Sequence, residues 1–131
     1  MRTTHRFIRY SLPVALGAAA TVAALATSPA SADSGWWYST NGGAKGRFIA
    51  AGDKTTACDI KADGYLALVQ ILTINNSLLN RVADTKVDGK CTTKGASYFD
   101  LQDGATYKIE ACTVKTGGRP VNCSSAHQFT A

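Results

Sequence analysis

The chain is poor in the residues from which most active sites are built. It has two histidines and four cysteines in 131 residues, and no two cysteines are spaced as C-x-x-C. Thiol pairs at that spacing are typical of zinc sites and redox enzymes, so both classes are disfavoured. The 14 lysines and arginines form no basic run after the first few residues. We therefore expect no nucleic-acid partner and no binding to a membrane surface.

Residues 1–32 have the three zones of a secretory signal peptide. Three arginines lie within the first nine residues, an apolar run covers about residues 12–26, and the segment ends in an A-x-A cleavage site, Ala30-Ser31-Ala32. A membrane anchor is the alternative, but the run is short for a span and the cleavage site follows it directly. We therefore expect a secreted, extracellular protein.

Cleavage after residue 32 leaves 99 residues, with 11 basic and 9 acidic side chains. A chain of this length forms one domain with a thin hydrophobic core. All four cysteines lie in this exported part, namely Cys58, Cys91, Cys112 and Cys123. Their even number in a small secreted domain predicts two disulfide bonds.

Turn signals punctuate the exported part every 11 to 15 residues, at Gly52-Asp53, Asp63-Gly64, Asn75-Asn76, Asp88-Gly89, Asp103-Gly104 and Gly117-Gly118. Asp-Gly and Gly-Gly pairs readily adopt the positive φ of tight hairpin turns. Six such turns delimit about seven antiparallel strands. The sequence therefore predicts an all-β fold, a small disulfide-stapled β-sandwich of immunoglobulin-like type.

Residues 65–74 are the one stretch with a helical alternative, and their β-branched side chains favour a strand. Such a strand is apolar on both sides. Alanine, valine and isoleucine point one way, and Leu66, Leu68, Leu72 and Ile74 point the other way. One side fills the core. The other side is either covered by another part of the chain or left as an exposed apolar stripe.

The turn at Gly117-Gly118 indicates one disulfide pairing. A hairpin that turns there sets Cys112 opposite Cys123, although a bulge or a longer loop is needed to bring the two sulfurs together. We therefore expect Cys112–Cys123 and, by elimination, Cys58–Cys91. Two other connectivities stay open.

The exported part contains few residues that could form a catalytic site. Its single histidine, His127, follows Ser124 and Ser125 near the end of the chain, where a solvated tail is expected. Four aspartates are candidates for a calcium site or a carboxylate pair, but most of them are turn residues and no EF-hand spacing is present. The sequence therefore predicts no enzyme activity, no metal site and no cofactor. The aspartates are Asp53, Asp59, Asp63 and Asp103.

The most unusual segment is residues 33–45, which precede a β-sandwich domain over residues 46–131. This segment is rich in glycine, serine and asparagine and holds both tryptophans of the chain, Trp36 and Trp37, followed by Tyr38. Tryptophan and tyrosine dominate the hot spots of protein interfaces. We expect a flexible aromatic arm that binds a partner protein, and the alternative is a segment that folds back onto the core.

Several short motifs together resemble a family of small secreted proteins: Gly46-Arg-Phe48, Gly52-Asp53, Cys58-Asp59, Asp63-Gly64, Gly89-Lys-Cys91, Gly104-Ala-Thr-Tyr107, Ala111-Cys112 and Asn122-Cys123-Ser124. The pattern is similar to that of four-cysteine proteins of actinobacteria, including the adaptor subunit of umbrella toxin particles. The resemblance implies a non-enzymatic, antibacterial role as an adaptor. It also implies two partners, a large toxin stalk protein and a lectin-like subunit.

Two other functions fit the same composition. A secreted protease inhibitor would present a rigid loop, and the obvious loop runs from Lys115 to Arg119, although Pro120 follows and two glycines loosen it. A carbohydrate-binding module would use Trp36 and Trp37 as sugar platforms. Adjacent residues of a strand point to opposite sides, which counts against that use.

Overall fold

The computed structural model describes residues 32–131, so the signal peptide expected over residues 1–32 lies outside the described residues except for Ala32. All regular structure in the described part is β. It comprises β1 Trp37–Tyr38, β2 Ala44–Ile49, β3 Lys54–Asp59, β4 Leu66–Thr73, β5 Leu78–Asp84, β6 Thr92–Lys94, β7 Thr106–Val114 and β8 His127–Thr130. Residues 32–131 contain no helix long and apolar enough to cross a membrane.

The strands form two antiparallel sheets of four strands each. Sheet I has the order β1-β2-β3-β6, and sheet II has the order β5-β4-β7-β8. The crossovers that place β6 beside β3 and β7 beside β4 are those of a Greek-key sandwich. The predicted all-β, disulfide-stapled sandwich is confirmed. There are eight strands where about seven were expected, because the two-residue β1 precedes the first predicted strand.

The core lies between the two sheets. It is formed by Phe48, Ala57, Val69, Ile71, Val82, Leu101, Ile109, Ala111, Phe129 and Ala131. The two sheets are in close contact at Gly46, where a methyl group would lie 2.1 Å from Cγ2 of Val69. No real contact is that short, so an alanine at this position would force the sheets apart.

Residues 66–73 form strand β4, as the β-branched side chains predicted. The outward side of β4 is largely covered: Leu68 and Leu72 are each 7% exposed. Leu68 lies between Ala83 of β5 and Cys112 of β7, and its β7 neighbour is tied to Cys123. The chain therefore covers the middle of this apolar stripe itself, whereas Ile74 at its end is 52% exposed.

Both predicted disulfides are confirmed. Cys58 of β3 is bonded to Cys91, just before β6, and Cys112 of β7 is bonded to Cys123. The register near the second bridge is shifted by one residue from a symmetric hairpin, since Thr113 pairs with Val121. Asn122, with a φ of 53°, is the extra residue that brings Cys123 to Cys112.

Candidate protein-binding face

Trp37 is part of the packing of the domain. On β1 it lies opposite Gly46, whose missing side chain leaves room on the inward side of sheet I. The Trp37 ring stacks on His127 of β8 with 3.2 Å between ring centroids and 13° between planes. Its Nε1 donates a hydrogen bond of 2.9 Å to the carbonyl of Ser34. Trp37 therefore joins the two sheets at one edge of the sandwich.

Residues 33–45 fold back onto the domain, which was the stated alternative to a flexible arm. Ser34 is bonded to Phe48 twice: its N–H donates to the Phe48 carbonyl at 3.0 Å, and its Oγ accepts from the Phe48 N–H at 2.8 Å. The Asp33 carboxylate accepts from the Ala50 N–H at 2.9 Å. The segment folds back along β2, which itself begins at Ala44.

Trp36 and Tyr38 lie on the other, outward side of sheet I. Lys45 and Arg47 of β2 share that side, because residues on β2 alternate and Lys45 pairs directly with Tyr38. Lys45 Nζ lies 4.5 Å and Arg47 Cζ lies 4.4 Å from the centroid of the Trp36 ring. Both distances are within the range of cation–π attraction. We call these four residues the aromatic face.

The two cations of the aromatic face lie against the Trp36 ring. The Nε atom of Arg47 is buried and has no hydrogen-bond partner within the described part of the chain. No acidic residue occupies an outward position of β1 or β2. Tyr38 beside them is 52% exposed. The face thus presents apolar rings and positive charge together, with one buried donor left unused.

Sequence reasoning singled out the aromatic residues and missed Lys45 and Arg47. The signal was present as the alternation of Lys45, Gly46 and Arg47, since a period of two places the first and third residue on one side of a strand. What sequence could not supply was the position of Trp36 above them. That position depends on the antiparallel register of β1 with β2.

His127 and its neighbouring serines are not the solvated tail expected from sequence. His127 belongs to β8 and is half-buried under Trp37. Ser124 Oγ accepts from the Ala111 N–H at 3.0 Å, so this serine fixes the segment before β8. Ser125 Oγ lies 3.3 Å from His127 Nε2. Within residues 32–131 no hydrogen bond joins this Ser–His pair to a carboxylate that would orient the ring.

Three of the four candidate aspartates serve the backbone. Asp53 accepts from the Leu101 N–H at 2.8 Å, and Asp63 accepts from the Tyr65 N–H at 3.0 Å. The Asp59 carboxylate accepts a longer bond from the Lys61 N–H. Burial raises the pKa of Asp53, with a smaller contribution from nearby acidic groups. These bonds account for the aspartates as turn and strand-end residues.

One cluster has metal-ligating residue types within reach of each other, Glu110, Cys112 and Cys123, whose ligand atoms lie within 4.8 Å. The two sulfurs are bonded to each other. A disulfide offers no thiolate, and the thiolate is the form that binds metal. The cluster is therefore a disulfide bond next to the Glu110 carboxylate, and its sulfurs are not in the metal-binding form.

Comparison with known proteins leaves the function open. No family model and no curated protein matches the chain. The fold is similar to part of a crystal structure of an endonuclease/exonuclease/phosphatase from Beutenbergia cavernae DSM 12333, with a TM-score of 0.51 and 19% identity. The match covers 79% of this chain and 27% of the other. At that identity the likeness concerns the fold alone.

Proposed function

We propose that this chain is a secreted, non-enzymatic protein-binding domain whose aromatic face holds a partner. In its sharpest form it is the antibacterial adaptor that the sequence resemblance implies, linking a toxin-bearing stalk protein to a lectin-like subunit. Trp36 and Tyr38 are the anchors in this proposal. Trp37, the third residue expected to bind, supports them from the inward side of β1.

The observation that carries the proposal is Trp36 held beneath two cations on an open sheet face. Tryptophan, tyrosine and arginine are the residue types most enriched at binding hot spots. Lys45 and Arg47 are already stacked on the ring at 4.5 and 4.4 Å, so part of their conformational entropy is lost before a partner arrives.

The charge of the face indicates the chemistry of the partner surface. Two cations with no acidic residue at the outward positions of β1 and β2 complement a surface that presents carboxylates around an apolar contact. A carbohydrate partner is less well supported. Its flat sugar rings need aromatic platforms on one side of the protein, whereas Trp36 and Trp37 lie on opposite sides of β1.

The test is capture from the culture supernatant of the native host. The affinity tag follows residue 32, because Ala131 is buried and its carbonyl accepts from the Gly104 N–H. Native mass spectrometry then identifies the retained chains. We expect a large toxin-bearing chain together with a lectin-like chain. Stoichiometric retention of one protease would support the inhibitor alternative instead.

The variant that tests the face is Trp36→Ala with Tyr38→Ala. It should abolish retention of at least one partner and leave the melting temperature within a few degrees of the parent, since both side chains lie on the outside of the sheet. The matched control is Tyr98→Ala. Tyr98 is 57% exposed and also carries a cation, Lys94 Nζ at 5.4 Å from its ring. Equal retention by both variants would refute the proposal.

A further inference from the structure

A small cleft with a different lining from the aromatic face lies where β4 begins and β7 ends in sheet II. Tyr65, Lys115, Gly118, Arg119 and Val121 line it, and its volume is about 240 Å³. Pockets for cofactors and drug-sized molecules are usually larger, at about 300 to 1,000 Å³. The cleft therefore suits a single amino-acid residue of another chain.

The cleft is built on a loop that the chain holds tightly. The Cys112–Cys123 bridge closes the loop, and Thr113 and Val121 exchange two backbone hydrogen bonds of 2.9 and 2.8 Å just inside it. At its tip the Gly118 N–H donates to the Lys115 carbonyl at 2.8 Å. These bonds hold the backbone of the loop, whereas the side chains of Lys115 and Arg119 are exposed and must be ordered when a ligand binds.

The lining combines positive charge with apolar surface. Lys115 Nζ lies 5.1 Å from the centroid of the Tyr65 ring, and Arg119 stands on the other side of the turn. No acidic residue lines the cleft. Val121 is 42% exposed and supplies an apolar wall. A carboxylate beside a short aliphatic group complements these features.

The geometry points to this cleft as a second protein-binding site, which takes the carboxylate of one residue of a partner polypeptide. Lys115 and Arg119 bind the carboxylate, while Tyr65 and Val121 contact the aliphatic part. The carboxylate comes either from the end of a chain or from an acidic side chain. None of the residues that line this cleft belongs to the aromatic face, so the two sites can be tested by separate substitutions.

Titration of the ¹⁵N-labelled mature protein with short peptides tests the site. One peptide is N-acetyl-Gly-Gly-Leu with a free carboxylate, a second is its C-terminal amide, and a third is N-acetyl-Gly-Glu-Gly amide. We expect amide shifts at Gly117, Gly118 and Arg119 with one or both carboxylate peptides and none with the neutral peptide. The first peptide reports a chain end and the third reports an acidic side chain.

The matched variants carry equal changes of charge. Lys115→Gln with Arg119→Gln should weaken binding of the carboxylate peptide by about tenfold or more, the loss expected for charge-assisted hydrogen bonds. Lys45→Gln with Arg47→Gln removes the same charge from the aromatic face and should leave the affinity unchanged. The Trp36→Ala/Tyr38→Ala variant should also bind normally, so failure of the aromatic face does not imply failure of the cleft.

Three results would overturn the assignment. The first is equal loop shifts with the neutral amide, because the carboxylate would then be irrelevant. The second is equal weakening by the two charge-neutralised variants, which would indicate a general electrostatic effect. The third is no loop shift with either carboxylate peptide, including the case in which inorganic phosphate does shift the loop. Unchanged spectra outside the loop show that each variant is folded.

Discussion

Two arginines on the outer faces of the two sheets are in opposite states. On sheet II, Arg81 Nε donates a 2.8 Å hydrogen bond to Oε1 of Gln70, and Gln70 in turn donates to Glu110. On sheet I, Arg47 stacks on Trp36, and its buried Nε has no partner among the described residues. The Nε atom is therefore hydrogen-bonded in Arg81 on sheet II, whereas in Arg47 on sheet I it has no hydrogen-bond partner among the described residues.

This difference distinguishes polar side chains whose hydrogen bonds stabilise the fold from charged side chains that are available for binding. A buried polar group stabilises a protein only when its hydrogen bonds are made, so the Arg81, Gln70 and Glu110 network completes sheet II within the chain. Gln70 is only 6% exposed despite its outward position. On sheet I, no residue of the described part of the chain accepts a hydrogen bond from Arg47 Nε. The half-buried side chains of Lys45 and Arg47 nevertheless keep their positive charge within reach of an acidic partner surface.

The largest expected effect compares the two disulfides, since each sheet carries one. The Cys58–Cys91 bridge of sheet I spans 33 positions, and the Cys112–Cys123 bridge of sheet II spans 11. Loop-closure entropy predicts that removing the longer bridge costs about 3.8 kcal/mol and removing the shorter about 2.8 kcal/mol. Urea unfolding of the Cys58→Ala/Cys91→Ala and Cys112→Ala/Cys123→Ala variants measures both values.

Each disulfide variant also serves as the control for the other, because each replaces one fully buried cysteine, Cys58 or Cys112, and one more exposed cysteine, Cys91 or Cys123, with alanine. A small domain has a total stability of only about 5 to 15 kcal/mol, so either loss should be evident at room temperature. The reverse order of stability would show that the Cys112–Cys123 loop contributes through its contacts with β7. The entropy argument for the pair would then be wrong.

The fold was predictable because its signals are local. Turn residues such as Asp63-Gly64 and Asp103-Gly104 encode the positive φ that the structure has at Gly64 and Gly104. The pairing of Cys112 with Cys123 followed from the position of one turn. The exact place of the one-residue bulge, at Asn122, did not follow from the sequence, although a bulge or a longer loop was expected there.

The site was less predictable because its contacts are distant in sequence. The inward position of Trp37 depends on His127, at the other end of the chain, and on the space left by Gly46. Composition alone favoured a flexible arm, since glycine and serine surround both tryptophans. Tertiary packing overrode that local preference. The pairing of Trp36 with Lys45 and Arg47 likewise depends on strand register.

Replacing each of the two arginines by alanine is expected to have a smaller effect on the free energy of unfolding. Arg81→Ala leaves the buried Gln70 Oε1 without its donor and should cost about 1 to 2 kcal/mol. Arg47→Ala removes a cation from the outside of Trp36 and should change stability by about 0.5 kcal/mol or less. Chemical denaturation at one pH measures both. Equal losses would show that Arg47 is a structural residue and would weaken the case for the aromatic face.

The smallest expected effect is the pH dependence of stability that arises from carboxylates at the contact between the two sheets. The Asp59 N–H of sheet I donates at 2.8 Å to Asp84 of sheet II, and Thr92 also donates to the Asp84 carboxylate. Burial raises the pKa of Asp59 above its ordinary value of 3.8, and the carboxylates of Asp63 and Asp84 raise it further, against the lowering effect of the Lys61 N–H. The folded state therefore holds this proton more tightly than the unfolded state does.

This direction fixes the sign of the pH dependence. The contribution of Asp59 to stability is fully present below pH 3.8 and is lost as the pH rises through its higher folded pKa. Asp59→Asn cannot ionise, so its melting temperature relative to the parent should increase as the pH rises from about 3.5 to 7. Asp53→Asn, at the other aspartate whose pKa burial raises, should show the same trend. If the melting temperatures of Asp59→Asn and the parent changed with pH in the same way, the raised pKa of this carboxyl would be contradicted. The Asp59 N–H bond to Asp84 would then be the contribution of this residue to the contact between the sheets.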